Sequence, residues 1–403
     1  MIEIVYIIEK FPSESEHFVL NEILELEKWN FNIHILALKK PKKNVNRQVD
    51  CLKAQIIYLP NFFIYILSSD IFNDFQRKVH IYRTICLENS VDFKNLLRRT
   101  YYFFIALYYY KKISKLGVSH VHAHFAFIAT DIAIILSKLI GVDYSFTAHA
   151  QDIYLNKNGI VPKIRMAKFL VTCNQHNKVL LDTITKTNSI KKNIFAIYHG
   201  IDIEKWPYTI HTIEEKDAIK ILTVARLVEK KGIIYGLRAA KILVDKGYKI
   251  SYTIVGEGIL HKELTKYVMT NNLEKYIKLV GTKSQSDIFK LMELSNIFIL
   301  PCIEAENGDM DGLPNVLLEA LAVGLPVITS EISAIEELIV HRETGIVVNP
   351  KNAIELSDAI IELNSDSLLY NKLSNVGQYK VEHDFDIKVS TIKLKNIFEE
   401  FIT

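Results

Sequence analysis

The sequence predicts an α/β protein built from two doubly wound parallel sheets with a cleft between them. Three observations carry that expectation. At 403 residues the chain is long enough for two domains. Its strand-like segments are short, near-continuous apolar runs rich in β-branched residues, the pattern of strands buried on both faces. These runs are separated by segments of helical spacing, and the rhythm stops at a polar stretch, Asp202–Asp217, and then restarts.

Taken in order, Ile2–Ile8 reads as the first strand. Ser15–Trp29 follows as a helix, with Phe18, Ile23, Leu24 and Leu26 at helical spacing. Ile33–Leu38, Val118–Ala123, Tyr144–Ala148, Phe169–Cys173 and Phe195–Tyr198 read as strands, and Phe127–Ile140 as a helix. After the polar stretch, Ile219–Ala225, Ile250–Val255, Tyr276–Val280, Ile297–Leu300 and Val327–Thr329 read as strands. Gly232–Lys246 and Leu260–Thr270 read as helices. Residues 384–403 have helical spacing (Ile387, Val389, Ile392, Ile397, Phe398, Phe401) and no following strand, so this helix is expected to pack back across both domains. The expected division is 1–205, 206–383 and the helix 384–403.

Residues 56–115 break the rhythm. They are aromatic and basic, with Arg77, Lys78, Arg98, Arg99, Lys111, Lys112 and Lys115, and the run YYFFIALYYY shows no clean amphipathic split. Buried helices of the first domain are one reading. A face for an anionic membrane surface, with aromatic anchors and cations, is the other.

Composition excludes several classes. A chain 49% hydrophobic and 24% charged is neither disordered nor fibrous. No apolar run approaches the roughly 18 residues of a spanning helix, and the N-terminus reads as a strand rather than a signal peptide. Cys51, Cys86, Cys173 and Cys302 form no CxxC pair, which argues for reduced thiols of a cytoplasmic protein rather than a disulfide or metal framework. Residues 1–200 carry 26 Lys and Arg against 16 Asp and Glu, whereas residues 201–403 carry 23 against 30. That asymmetry points to an anionic surface or substrate on one side. No nucleic-acid module is present.

In doubly wound sheets ligands bind beyond the carboxyl ends of the strands, so the residues after each strand are the candidates. Arg226, Lys230 and Lys231 follow Ile219–Ala225, and Gly232 opens a helix. A guanidinium and an ammonium beside a helix N-terminus suit a diphosphate, although solvated surface charge gives the same letters. After Ile297–Leu300, Asp311-Gly312-Leu313-Pro314 reads as a helix start with Pro314 in the first turn. Glu319 then lies within about 80° of Asp311 on the helix. Two carboxylates there accept from sugar hydroxyls, or act as a cap and a solvated acid. His149 ends a strand and is followed by Asp152. It can hydrogen-bond a substrate or be structural. His122 and His124 form an HxH pair without a third ligand at recognisable spacing, so no metal is expected. Ser13, Ser15 and Glu16 follow the first strand, where a serine caps the next helix or touches a substrate. The absence of a glycine fingerprint disfavours a dinucleotide. Gly256-Glu257-Gly258 is a short glycine-rich loop.

Together these segments resemble the family-four retaining glycosyltransferases of the GT-B fold, two Rossmann-like domains facing a cleft. The resemblance rests on VARLVEKKG (224–232), VGEG (255–258), DGLPNVLLEALAVGLPVITS (311–330) and IEEL…ETG (335–345). It extends to KFPSESEHFVLNEI (10–23), HAHFA (122–126) and FTAHAQDIY (146–154). The last three are similar to a branch that builds bacterial exopolysaccharide, capsule, colanic-acid-like and lipopolysaccharide chains.

The resemblance implies a nucleotide-diphosphate sugar donor, no required cofactor or metal, and a glycan or polyprenyl-diphosphate-linked acceptor. It implies a place in the cytoplasm, with peripheral contact on the inner face of the membrane. Arg226 and Lys231 would bind the diphosphate, Glu319 the ribose, Asp311 the sugar hydroxyls, and Gly312 and Leu313 the phosphate and sugar through their N–H groups. His149 would contact the sugar at the reacting face, and Gly256 and Glu257 would lie near the nucleotide. Ser13, Ser15, Glu16, His124 and Asp152 are the acceptor-side candidates. Two departures stand out: Asp311 where the family has Glu, with Glu304 and Glu306 nearby, and His17 where the branch has a small hydroxyl residue. A GT-B epimerase and an inactive sugar-nucleotide-binding protein are the alternatives.

Overall fold

A computed structural model describes residues 2–13, 17–41, 47–60, 75–87, 92–155, 157–211 and 218–402. The chain forms two compact units. The first comprises Met1–Cys173, Asn177–His199 and Ser390–Thr403, and the second Asn174–His176 and Gly200–Val389.

The first unit is a seven-stranded parallel sheet of β1 (Ile2–Lys10), β2 (Phe31–Lys39), β3 (Gln55–Tyr58), β4 (His120–His124), β5 (Tyr144–Ala148), β6 (Phe169–Thr172) and β7 (Asn193–Ala196). The order is β3-β2-β1-β4-β5-β6-β7, so the winding reverses between β1 and β4. The register sets Tyr6 opposite His122. One face packs Val5, Ile7 and Leu36 against the helices Phe93–Ile113 and Ile128–Ile140. The latter ends at Gly141, whose φ of +91° is the left-handed conformation that stops a helix. The other face packs Ile4, Tyr6, Ile33 and Ile35 against the helix His17–Lys28 and against Leu394, Ile397 and Phe398 of the helix Ile387–Ile402.

The second unit is a six-stranded parallel sheet of β8 (Ile219–Val224), β9 (Ile250–Val255), β10 (Ile277–Leu279), β11 (Ile297–Leu300), β12 (Val327–Ser330) and β13 (Ile346–Val348). Its order, β10-β9-β8-β11-β12-β13, reverses between β8 and β11. β11 and β12 are buried along their whole length, which is why they read as continuous rather than alternating runs, whereas β8, β9 and β10 each expose one residue, Lys220, Ser251 and Lys278.

Two expectations need correction. Residues 56–58 belong to β3, an edge strand of the first sheet, so the departure from the rhythm begins after it. The helix Phe93–Ile113 does split. Tyr102, Phe103, Ile105, Ala106, Tyr109 and Ile113 are buried, while Phe93, Leu97, Tyr101 and Phe104 are exposed. Because aromatic residues occupy both faces, the split leaves no contrast of hydrophobicity in the sequence. Of the aromatic and basic segment 56–115, residues 61–74 and 88–91 lie outside the described residues.

Candidate functional site

The second unit gathers its candidate residues at the carboxyl ends of β8, β9 and β11, where the winding reverses and an open α/β sheet forms a crevice. Two glycines allow the close approach. A Cβ on Gly232 (φ +61°) would stand 1.8 Å from the Pro301 carbonyl oxygen, and one on Gly256 (φ +132°) would stand 1.9 Å from that of Ala225. The segments are then tied by main-chain bonds: Ile303 N–H donates to Lys230 O (2.9 Å) and Leu227 N–H to Glu257 O (2.9 Å). Arg226 and Glu257 are exposed there, and among the described residues the Arg226 guanidinium has no partner.

Lys231 is buried and paired to Asp311 Oδ2, while Lys230 reaches Asp311 Oδ1 at 3.3 Å and Asp309 at 3.0 Å. Burial opposes ionisation of Asp311, but the Lys231 and Lys230 ammonium groups outweigh it and hold the carboxyl below its ordinary value. Burial likewise works against the Lys231 cation, and Asp311 more than compensates. The structure thus joins two residues that the sequence reading gave separate ligands.

A second correction concerns helical phase. The helix is Asn315–Ala322, with Pro314 at its N-cap position (φ −67°, ψ 119°) rather than in its first turn. Asp311, Gly312 and Leu313 precede it, so Asp311 and Glu319 do not share a helical face. Glu319 sits within the helix, and its carboxyl is pushed up to about 7 by burial. Among the described residues it has no side-chain partner. Glu304 and Glu306 are exposed.

The first unit gathers a different set after β1, β4, β5 and β7. The helix His17–Lys28 presents Phe18 and Glu22, four residues apart and so on one face. Tyr6 donates its hydroxyl to Glu22 Oε1 at 2.8 Å, and the same oxygen lies 3.2 Å from His124 Nε2. His124 Nδ1 lies 3.5 Å from His149 Nε2, and His149 Nδ1 lies 3.2 Å from His199 Nε2. Phe18 stacks on His199 at 3.9 Å and Phe125, at φ +70°, stacks on His149 at 4.0 Å. His122 spends both ring nitrogens on hydroxyls, Ser145 at 2.7 Å and Thr147 at 2.9 Å.

Asp152, expected on the acceptor side, is buried. Its Oδ2 accepts from the backbone N–H groups of His149 (2.9 Å) and Ala126 (2.7 Å), so it clamps the ends of β5 and β4 together. Burial, despite those bonds, pushes its carboxyl up to about 7. Ser13 is half-buried after β1, whereas Ser15 and Glu16 lie outside the described residues.

The fold supplies the third partner that the HxH spacing does not reveal. Glu22, His122 and His124 place one ligand atom each within 4.8 Å of one another, as do His149, Cys173 and His199. In this structure the first group is occupied by the hydrogen bonds just described. Glu22 and His199 escaped the sequence reading. His199 stands just past a strand, the rule that selected His149; Glu22 carried no signal beyond its helical phase with Phe18.

The family model described as "Glycosyl transferases group 1" matches residues 209–380. Over 204 residues the chain is 36% identical to "Amylovoran biosynthesis glycosyltransferase AmsK" of Erwinia amylovora, covering 50% of this chain and 49% of the relative. It is 25% identical over 337 residues to "UDP-Gal:alpha-D-GlcNAc-diphosphoundecaprenol alpha-1,3-galactosyltransferase" of Escherichia coli, covering 79% and 83%. The chain spans about half the length of the first curated relatives it matches. Its fold is similar to that of the Anabaena protein in "Crystal structure of Anabaena Alr3699/HepE in complex with UDP-glucose", with a TM-score of 0.74 and 13% identity over 99% of this chain and 100% of that one.

Proposed function

Since residues 209–380 are a group 1 glycosyl transferase domain, we propose that the protein transfers a sugar from a nucleotide-diphosphate sugar to a hydroxyl of a glycan or polyprenyl-diphosphate-linked acceptor. The product enters a bacterial surface polysaccharide, and the anomeric configuration is retained. The observation that carries this reading is the set of three cations, Arg226, Lys230 and Lys231, at the reversal point of the second sheet, in the domain that carries the family match.

In this reading the cations and the N–H groups ahead of the helix Asn315–Ala322 stabilise the charge that develops on the leaving diphosphate. That work needs no metal. Glu319, whose carboxylate has no side-chain partner among the described residues, accepts from the ribose hydroxyls. Asp311, on release from the lysines, accepts from the sugar hydroxyls. The acceptor hydroxyl attacks from the face the diphosphate leaves. Relatives named for amylovoran, colanic acid and capsule synthesis support the polysaccharide setting, and the diphosphoundecaprenol in one relative's name supports a lipid-linked acceptor. Peripheral contact with an anionic membrane is part of the same proposal.

The test is a thermal-shift screen against UDP, GDP, ADP and CDP and their common sugars, with magnesium and with EDTA. We expect one nucleotide to raise Tm equally under both conditions. Lys231→Ala should abolish that rise and lower turnover by roughly a hundredfold or more while the protein stays folded. No shift with any nucleotide refutes the donor site. An inverted anomeric coupling in the product refutes retention.

A further inference from the structure

Glu22, His124, His149 and His199 form one hydrogen-bonded line, and the chemistry of its first member sets the direction of every bond after it. Burial opposes ionisation of Glu22, but the His124 ring and the bonds from His124 and Tyr6 outweigh it and hold the carboxyl below its ordinary value. An ionised carboxylate accepts and has no proton to give. His124 therefore presents Nε2–H to Glu22 Oε1, 3.2 Å away.

In its neutral form, the one populated at pH 8 above the ordinary imidazole range, His124 carries one ring proton; with that proton on Nε2 facing Glu22, Nδ1 is bare and accepts from His149 Nε2–H at 3.5 Å. The same count leaves His149 Nδ1 bare, to accept from His199 Nε2–H at 3.2 Å. His199 Nδ1 ends the line as a bare nitrogen, without a partner among the described residues, on a residue that is only half-buried. Burial keeps the last two rings neutral, holding His149 well below its ordinary value and His199 down at about 4. Phe125 and Phe18 fix the planes of these rings, and Asp152 holds the His149 backbone.

We infer that Glu22 is a positioning residue that fixes the tautomers of all three rings, and that His199, rather than His149, offers the lone pair that accepts from a sugar hydroxyl of the substrate. Both nitrogens of His149 are spent inside the protein. The inference rests on the transferase reading for the identity of that hydroxyl; the tautomers belong to the free protein.

Long-range proton–nitrogen correlation on 15N-histidine-labelled protein at pH 8, above the ordinary imidazole range, reads the tautomers directly. The expected result is Nε2–H on His124, His149 and His199, with assignments fixed by His199→Phe and His124→Asn. A second proton on His124 would reverse the whole line, so Nδ1–H on His149 in the unaltered protein overturns the assignment. In Glu22→Gln the amide both donates and accepts, and Nδ1–H signals should appear at His149 and His199. An unchanged pattern removes Glu22 from the positioning role.

The ligand role is read separately. His199→Phe keeps the stack on Phe18 and loses the lone pair, and should lower kcat/KM about tenfold at unchanged Tm. Unchanged kcat/KM alongside the expected tautomers removes His199 as the ligand contact. A failed nucleotide screen sinks the transferase reading, and with it the sugar hydroxyl, and leaves the tautomer result standing.

Discussion

At Asp311 a short carboxylate meets two ammonium groups, and this pairing has consequences that can be measured. The carboxylate competes with any diphosphate for Lys230 and Lys231. Asp311→Asn removes the competitor, so affinity for the free nucleoside diphosphate should rise about tenfold in titration calorimetry while turnover falls. The same change leaves the buried Lys231 without its anion, and stability should drop by roughly 3 kcal/mol in denaturant unfolding. Glu319 supplies a pH signature. Its folded value of about 7 lies above the ordinary 4.5. The unfolded state therefore ionises first, and the stability this group contributes is present below about 4.5 and lost as pH rises to 7. A ribose hydroxyl donating to the ionised carboxylate has the opposite dependence. Nucleotide affinity should rise between pH 6 and 8, and Glu319→Gln should flatten the curve. Arg226, Lys231, Asp311, Glu319 and His149 were legible from their positions after strands or in motifs. That Lys231 and Asp311 form a pair was not, because two long-separated residues meet only when β8 and β11 lie side by side. Nor could spacing show that Asp152 faces inward, because an acid after a strand has the same letters whether it meets a ligand or two backbone N–H groups.

The helix Phe93–Ile113 carries apolar side chains on two faces. Phe93, Leu97, Tyr101 and Phe104 recur at intervals of four, four and three, which keeps them on one side of the helix. Phe93 is 73% exposed and Leu97 55%, and Lys94, Arg98, Lys111 and Lys112 are exposed on the same helix. Such a stripe fits a bilayer interface that is anionic. No helix among the described residues is long and apolar enough to cross a membrane. The protein should float with anionic vesicles at low salt and be released at high salt. Phe93→Ser with Leu97→Ser should weaken flotation at unchanged Tm. Failure to float at low salt would count against the membrane contact. At this scale the strands of both sheets were largely legible, since burial on both faces writes a continuous apolar run. β3 and three-residue β13 were not, and neither were the helices Gln285–Glu293, which buries Met292 alone, Ala353–Ser365 and Ser367–Asp384.

Across the whole molecule the same winding occurs twice, each sheet reversing beside its first strand. The doubling was legible because the strand–helix rhythm restarts. The strand order was not written in any residue; it follows from short right-handed crossovers between parallel neighbours. The chain also interrupts itself. The first unit is completed by Ser390–Thr403, and Leu394, Ile397 and Phe398 fill the core over Tyr6, His120 and Phe169. Deleting residues from Ser390 onward should cost the first unit several kcal/mol, with Phe398 alone worth about 3 to 5. Limited proteolysis should show the first unit cut before the second, and nucleotide binding should outlast the damage. On the ribosome this arrangement imposes a delay. The residues of the first sheet emerge early, yet their last core side chains arrive only after the whole of 200–389 has been made. Throughout that interval the nascent first unit exposes the aromatic patch that Phe398 will cover, a binding target for any holdase chaperone that waits at the exit tunnel.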